Sequence, residues 1–159
     1  MNFSLSSKSL DETIDMGKLV GTALQGGELI ELVSDVGGGK TTFVKGLAKG
    51  LGVKETIQSP TFTISRVYRC RNGLELHHFD FYRLEDPGVL LAELQESLDD
   101  PKAIVVIEWA GIVERILPGE HIRVDFVTTS EDGRRLEFFI PKSSTKLTKA
   151  LEAQQKSAA

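Results

Sequence analysis

The sequence is short of cysteine, and this scarcity excludes whole classes of site. Cys70 is the only cysteine among 159 residues, so an internal disulfide and a thiol-rich metal centre are both excluded. A catalytic thiol would need a base, which His77 or His78 could supply. Cys70 lies where a strand is expected to end, however, and we expect it to be a small buried hydrophobic residue.

Long apolar runs and an excess of positive charge are missing as well. No stretch approaches the roughly 20 apolar residues that cross a membrane. The N-terminus also lacks the basic start and apolar stretch of a secretory signal, so we expect a cytoplasmic protein without membrane contact. The formal net charge is -4, so long-range attraction to nucleic acid is not built into the chain. Any contact with RNA should therefore be local or made through a partner.

The length of the chain fits one domain with its own hydrophobic core. We assign the domain to residues 1–141. Residues 142–159 consist largely of lysine, serine, threonine, alanine and glutamine, with little apolar content. We expect this segment to be an exposed polar and basic tail, partly helical or disordered.

A strand, a glycine-rich loop and a helix follow one another near the N-terminus. Residues 28–33 have the apolar content of a strand, and the pattern from 40 to 51 is helical, with Gly52 as a suitable stop. An earlier helix carries Gly17 and Gly21 on its apolar face, where the missing side chains would let it lie close to a sheet.

The rest of the chain predicts a mixed sheet. Asn72-Gly73 is a strong turn signal between strands at 61–68 and 74–82, and Asp132-Gly133 joins strands at 122–127 and 135–140. Between these hairpins lie a helix at 87–98 and the apolar run 103–107, which is typical of a parallel strand covered on both faces. The order predicts an α/β protein.

The glycine-rich loop has the residue types that bind phosphate. Small residues such as Gly37 and Gly39 let backbone N–H groups converge on phosphate oxygen atoms. Lys40 adds a cation, and Thr41 adds a hydroxyl for magnesium. The full pattern G-x-x-x-x-G-K-[ST] would place its first glycine where this chain has Ser34, which reduces affinity if that position requires a glycine conformation. A flexible turn before an ordinary helix is the alternative.

Two carboxylates are candidates to complete such a site. Glu108 ends the buried apolar run, where it could hold magnesium directly or through water, or be a surface glutamate. Asp80 stands among large apolar residues and could orient a water or support the metal, or simply pair with Arg83. His77 and His78 point to opposite faces of a strand, so a packing role is expected for both.

One hairpin carries a local excess of positive charge. Arg66, Arg69 and Arg71 lie in a segment with no acidic residue between Thr61 and Gly73. These side chains could contact RNA phosphate or an acidic partner, or form a solvated strand face.

Four stretches of the chain stand out, at residues 34–43, 59–63, 78–84 and 107–109. In this order they resemble the family of bacterial tRNA threonylcarbamoyladenosine biosynthesis protein TsaE, also called YjeE. The resemblance covers about the whole domain, and four ordered motifs are more specific than one loop. Family members usually have glycine in place of Ser34 and alanine in place of Gly38. The stretches are 34–43 (SDVGGGKTTF), 59–63 (SPTFT), 78–84 (HFDFYRL) and 107–109 (IEW).

The resemblance implies a P-loop NTPase-like three-layer fold with a predominantly parallel sheet and antiparallel hairpins. It also implies ATP bound at residues 37–42, which include Gly38 and Thr42, and magnesium held by Thr41 and Glu108. Lys40, Asp80 and Glu108 are then the catalytic residues, and residues 59–61 a nucleotide-sensing switch. The family's Glu-Thr pair matches residues 12 and 13. Thr13 is therefore a candidate for nucleotide contact. Arg134, in the last hairpin, is a further candidate.

Proteins of this family hydrolyse ATP feebly alone and act with TsaB and TsaD, which transfer a threonylcarbamoyl group to adenosine 37 of tRNAs that read codons beginning with adenine. The resemblance implies a magnesium-dependent ATPase accessory that meets tRNA mainly through the complex. Three alternatives stay open: a small-molecule kinase, a GTPase, for which a guanine-selecting motif is missing, and a binding module in which hydrolysis is incidental.

Overall fold

A mixed β-sheet positions the glycine-rich loop and the candidate carboxylates at the C-terminal ends of its central strands. The computed structural model describes residues 1–35, 37–58, 65–82 and 84–158, and within these ranges the chain forms one sheet of seven strands with helices on both faces. The elements are β1 (Asn2–Ser7), α1 (Leu10–Ala23), β2 (Leu29–Val33), α2 (Lys40–Gly50), β3 (Ser65–Arg69), β4 (Glu75–Asp80), α3 (Leu90–Asp99), β5 (Ala103–Glu108), β6 (Ile122–Thr128), β7 (Arg134–Phe139) and α4 (Thr145–Ala158).

The strands are arranged in the order β1-β7-β6-β2-β5-β4-β3. Strands β6, β2, β5 and β4 pair in parallel, while β7 and β3 each run antiparallel to their neighbours. Because β1 is antiparallel to β7, it shares the direction of the four central strands. The sheet is therefore mostly parallel with antiparallel hairpins, and the predicted fold class is confirmed.

Strand β5 shows why the protein has three layers. All six of its residues are buried, as the continuous apolar run predicted. Ile104 and Val106 face the core beneath α1, α2 and α4, whereas Val105 and Ile107 face the core beneath α3 and the 3₁₀ segment Ala110–Ile116. The alternation of a strand thus supplies both cores from one sequence of apolar residues.

Helices α1 and α2 are parallel and touch through glycines. A β-carbon placed at Gly17 would lie 2.8 Å from the Leu47 amide nitrogen, and one at Gly46 would lie 2.8 Å from the carbonyl carbon of Ile14. The sequence predicted that the α1 glycines would bring this helix close to a sheet. Its close neighbour is α2 instead, because that helix also carries glycines four residues apart, at Gly46 and Gly50.

The C-terminal ends of these two helices are joined by Arg71. Its guanidinium donates hydrogen bonds to the carbonyl oxygens of Gly21 and Gly50, at 3.2 and 2.6 Å, and to that of Leu24 at 2.8 Å. Arg71 begins the turn between β3 and β4, in which Asn72 has φ 57° and Gly73 φ 74°. The Asn-Gly turn signal was therefore correct.

The C-terminal segment differs from the exposed tail that the composition predicted. Residues Thr145–Ala158 form α4, and the side chains of Leu147 and Leu151 are buried against the core cluster that also contains α1 and β1 residues. Two leucines four residues apart are enough to dock a helix whose other face is polar. In the described part of the chain, none of the helices has the length and apolar character needed to cross a membrane.

Candidate functional site

The loop between β2 and α2 has the backbone that its glycines predicted. Gly37 and Gly39 have φ values of 78° and 96°, a conformation that residues with side chains rarely adopt. The Gly38 amide donates a hydrogen bond to the Asp35 carbonyl oxygen at 3.1 Å, which closes a turn before α2 begins at Lys40. The first-turn N–H groups of α2 therefore stand at the end of a glycine loop, where an anion binds readily.

Lys40 is held among groups from three elements. Its ammonium lies 3.9 Å from Glu108 Oε1, 3.5 Å from the Ser34 carbonyl oxygen and 4.2 Å from the centre of the Trp109 ring. The side chain is buried, and burial lowers its pKa, while Glu108 and Asp80 oppose that shift. Lys40 is thus a desolvated cation that is stabilised by the charges of Glu108 and Asp80 and by the face of an indole ring.

Glu108 is fixed by a histidine for which the sequence predicted only packing. His78 Nε2 lies 2.6 Å from Glu108 Oε2, and the histidine side chain has no exposed surface. The carboxylate accepts this hydrogen bond with one oxygen and faces Lys40 with the other. Parallel register makes the contact possible, because His78 pairs with Val106 and Asp80 with Glu108 across β4 and β5.

Asp80 lies beside Glu108 at the end of β4. Its pKa is raised above the ordinary value, chiefly by burial and secondarily by the negative charge of Glu108. Asp80 Oδ1 accepts a hydrogen bond from the Tyr82 amide at 2.9 Å, which opposes the shift. The predicted alternative of a pair with Arg83 lies outside the described residues, as do Val36 and the residues 59–61 that were predicted to act as a switch.

These groups surround one cavity of about 460 Å³. Its volume falls in the range of small-molecule sites, roughly 300 to 1,000 Å³. The predicted loop and both carboxylates meet there, with additional walls from α1, β7 and the aromatic residues. The lining residues are Leu10, Gly37, Gly38, Gly39, Lys40, Thr41, Thr42, Asp80, Tyr82, Glu108, Trp109 and Arg134.

Arg134 supports the loop through its backbone. The guanidinium donates hydrogen bonds to the carbonyl oxygens of Gly38 at 3.0 Å and Gly37 at 3.3 Å, and the other end is bonded to the carbonyl of Gly133 at 2.7 Å. The side chain is almost fully buried. Arg134 therefore bridges the glycine loop to the β6–β7 hairpin, and its predicted contact with nucleotide stays a prediction.

Thr13 lies in the first turn of α1, and its predicted contact with nucleotide stays a prediction. Its side chain is buried, and its hydroxyl lies 2.7 Å from Ser7 Oγ and 3.3 Å from the Ser9 carbonyl oxygen. Leu10, three residues earlier, lines the cavity instead of Thr13, and its side chain is half exposed. Glu12 belongs to the helix cap, since its amide bonds to Ser9 Oγ at 3.1 Å.

The sequence assigned no definite role to Trp109 and Leu10, which line the cavity, or to His78, which bonds to Glu108. His78 could have been found from the period of two in β4, because it shares a face with Asp80. Trp109 has a left-handed backbone (φ 59°), an uncommon conformation for a large side chain, and its ring packs on Tyr82 with centroids 4.9 Å apart. No sequence signal indicated that Leu10 would face the cavity.

Two other candidates have structural roles. The pKa of the Cys70 thiol is raised to about 11, chiefly by burial, so the thiol is poorly suited to act as a nucleophile. Arg71 of the basic hairpin bonds to helix carbonyls, as described above, and is not a solvated phosphate ligand.

The cavity has oxygen donors of the kind that magnesium prefers. The Thr41 hydroxyl and the Glu108 carboxylate both line it, and Asp80 adds a second carboxylate on the neighbouring strand. The negative charge of Glu108 contributes to the raised pKa of Asp80, so a divalent cation would relieve the repulsion between these two carboxylates. The residues therefore fit a magnesium ion.

The fold and the site together define an α/β protein of the P-loop NTPase-like class. The model of the family "Threonylcarbamoyl adenosine biosynthesis protein TsaE" matches residues 7–136. The chain belongs to the TsaE family, and the predicted family is confirmed. The protein is therefore assigned to tRNA threonylcarbamoyladenosine (t6A) biosynthesis.

Individual relatives agree with the family match. The chain is 37% identical over 128 residues to the tRNA threonylcarbamoyladenosine biosynthesis protein TsaE of Bacillus subtilis, covering 80% of this chain and 79% of that protein. It is 39% identical over 140 residues to the protein of the same name from Nostoc, with 85% and 83% covered. The crystal structure of Bacillus subtilis YdiB superposes with a TM-score of 0.77 at 27% identity, covering 97% of this chain and 96% of that one.

Proposed function

We propose that this protein binds and hydrolyses ATP with magnesium, as an accessory that acts with TsaB-like and TsaD-like proteins in forming t6A at adenosine 37 of tRNA. The observation that carries this proposal is the ammonium of Lys40, which lies beside the glycine loop and 3.9 Å from Glu108. A cation, the N–H groups of the first turn of a helix and a carboxylate beside them are parts that phosphoryl transfer requires.

Each residue has a role in this proposal. The amides of residues 37–42 and Lys40 hold the β- and γ-phosphates, and Arg134 keeps the loop in shape. Thr41 and Glu108 hold magnesium, which would neutralise phosphate charge when bound. Asp80 orients the attacking water, and His78 holds the Glu108 carboxylate in place.

The proposal includes weak turnover by the isolated protein. Lys40 lies 3.9 Å from Glu108 and against the Trp109 ring, so it would have to give up part of these contacts to reach a phosphate group. The net charge of -4 supports tRNA contact through the complex and not through this chain alone.

The test compares wild type with Lys40→Ala and Lys45→Ala. Lys45 is an exposed lysine on the same helix and is the matched control. Phosphate release from ATP and t6A formation are measured with magnesium, with and without the TsaB and TsaD proteins of the same organism. We expect partner-stimulated turnover in wild type and Lys45→Ala, and a loss of at least about 100-fold in Lys40→Ala.

Two other outcomes would replace the proposal. A phosphorylated metabolite in place of free phosphate would indicate a kinase. If Glu108→Ala abolished turnover but left t6A synthesis intact, the protein would be a nucleotide-dependent binding module. Failure of wild type to stimulate t6A formation would contradict the accessory role itself.

A further inference from the structure

Gly38 has no room for a side chain, because Ser34 fills the adjacent space. A β-carbon at Gly38 would lie 2.6 Å from Ser34 Cβ, closer still to Ser34 Oγ, and 3.0 Å from the Asp35 carbonyl oxygen. Rotation about the Ser34 side-chain bond would move Oγ away. The contact with Cβ would persist in every rotamer, since that atom is fixed by the backbone.

The restriction at Gly38 is one of space and not of backbone conformation. Gly37 and Gly39 have positive φ values, whereas Gly38 does not. A residue with a side chain could therefore adopt the backbone of Gly38, provided that nothing occupied the volume of its β-carbon. Ser34 is what occupies it.

Ser34 is accommodated without backbone strain. In the described part of the chain, positive φ outside glycine occurs at Asn72 and Trp109, so position 34 does not need glycine. The Ser34 hydroxyl donates a hydrogen bond to the Asp35 carbonyl oxygen at 2.8 Å, and the Gly38 amide bonds to that same oxygen at 3.1 Å. Both residues thus close one turn.

We infer that Ser34 and Gly38 form a coupled steric pair, in which Ser34 is a positioning residue that packs against the bare backbone of Gly38 and fixes the turn leading to Lys40. In this arrangement a serine at 34 requires a glycine at 38, and an alanine at 38 requires a glycine at 34.

The first experiment measures the coupling without any ligand. Thermal unfolding is compared among wild type, Ser34→Gly, Gly38→Ala and the double variant Ser34→Gly/Gly38→Ala. We expect Gly38→Ala to lower the melting temperature by about 4 °C or more and the double variant to recover most of that loss. Additive shifts around this cycle would overturn the inference.

Two further variants separate the β-carbon from other causes. Ser34→Ala/Gly38→Ala lacks the hydroxyl but keeps the β-carbon at position 34, so it should stay as impaired as Gly38→Ala alone. Gly119→Ala adds a methyl group where nothing lies within 4 Å and should not lower the melting temperature. Recovery in the alanine double variant would assign the conflict to the hydroxyl and overturn the role of the β-carbon.

The second experiment tests positioning and rests on the proposed nucleotide site. Binding of ATP with magnesium is titrated for the same variants, with Lys40→Ala as the reference for a disabled site. We expect about tenfold weaker binding in Gly38→Ala and recovery to within about threefold of wild type in Ser34→Gly/Gly38→Ala. Unchanged binding in Gly38→Ala would contradict the positioning role. If wild type itself binds no better than Lys40→Ala, the proposed function fails, and the unfolding cycle still decides the steric pair.

Discussion

At the scale of single residues, the contact between His78 and Glu108 links stability to the site. Both side chains are buried and their polar atoms are 2.6 Å apart, so removing the imidazole leaves a buried carboxylate with one hydrogen bond fewer. We expect His78→Ala to lower the free energy of unfolding by about 3 kcal/mol. Urea unfolding monitored by circular dichroism measures this change.

His77 is the matched control for that substitution. It precedes His78 in β4, points to the other face and bonds to Ser97 and Glu75, with Glu75 partly exposed. We expect His77→Ala to cost about 1 kcal/mol, because its hydrogen bonds are nearer to solvent. If both substitutions lowered the free energy of unfolding equally, the hydrogen bond between His78 and Glu108 would contribute no more than the bonds of His77.

At the scale of elements, helices α1 and α2 meet backbone to backbone through their glycines. In an exposed helix, alanine is favoured over glycine by about 1 kcal/mol. In Gly46→Ala the new methyl group would meet the α1 backbone at Ile14, and a backbone cannot move aside as a side chain does. We therefore expect a net loss of about 2 kcal/mol in the free energy of unfolding, measured by urea unfolding.

The same measurement on Gly119→Ala is the control, since that glycine has open space around it. A stabilised Gly46→Ala would show that the helices can separate freely. It would also imply that the packing of α1 against α2 does not fix the position of the glycine loop.

The elements themselves were largely predictable from the sequence. The apolar run of β5 predicted a strand covered on both faces, and the Asn72-Gly73 signal predicted a turn, because both depend on local chemistry. The segment that forms α4 was predicted as an exposed tail, partly helical or disordered, since the two leucines that dock it are sparse among polar residues. Its packing depends on a complementary surface that is formed by distant segments.

At the scale of the whole molecule, the contact between His121 and Glu31 predicts a pH dependence of stability. Both ring nitrogens of His121 meet acceptors at 2.9 Å, Nε2 at Glu31 Oε1 and Nδ1 at the Pro118 carbonyl. The hydrogen bond to Glu31 raises the pKa of His121 above 6.5, and the bond to His121 lowers the pKa of Glu31 below 4.5. Arg123 opposes the first shift and supports the second.

The directions of these two pKa shifts determine how the stability of the protein changes with pH. The His121 contribution is complete below the unfolded pKa of about 6.5 and is lost as pH rises through the raised folded value, whereas that of Glu31 is lost as pH falls through its lowered value. We expect His121→Gln to cost about 1 kcal/mol near pH 6 and progressively less above neutrality. Urea unfolding of wild type and variant at several pH values measures the difference, and a constant difference would contradict the prediction.

The sequence predicted which residues form the candidate site better than it predicted the contacts between those residues. Gly37, Gly39 and Lys40 follow from a local motif, and Glu108 from the end of a buried strand. The contact of Arg134 with the loop joins residues that are 96 positions apart, and no local pattern encodes it. The bond between His78 and Glu108 likewise needs the parallel register of β4 and β5, which a single sequence does not specify.

The pairing of α1 with α2 also polarises the molecule electrically. Both helices begin at the cavity and run in the same direction, so their positive dipole ends add at the place where phosphate is proposed to bind. Parallel dipoles side by side repel each other, and the guanidinium of Arg71 lies against both negative ends, at Gly21 and Gly50. A single arginine far from the cavity therefore helps to hold together two dipoles whose combined field attracts an anion.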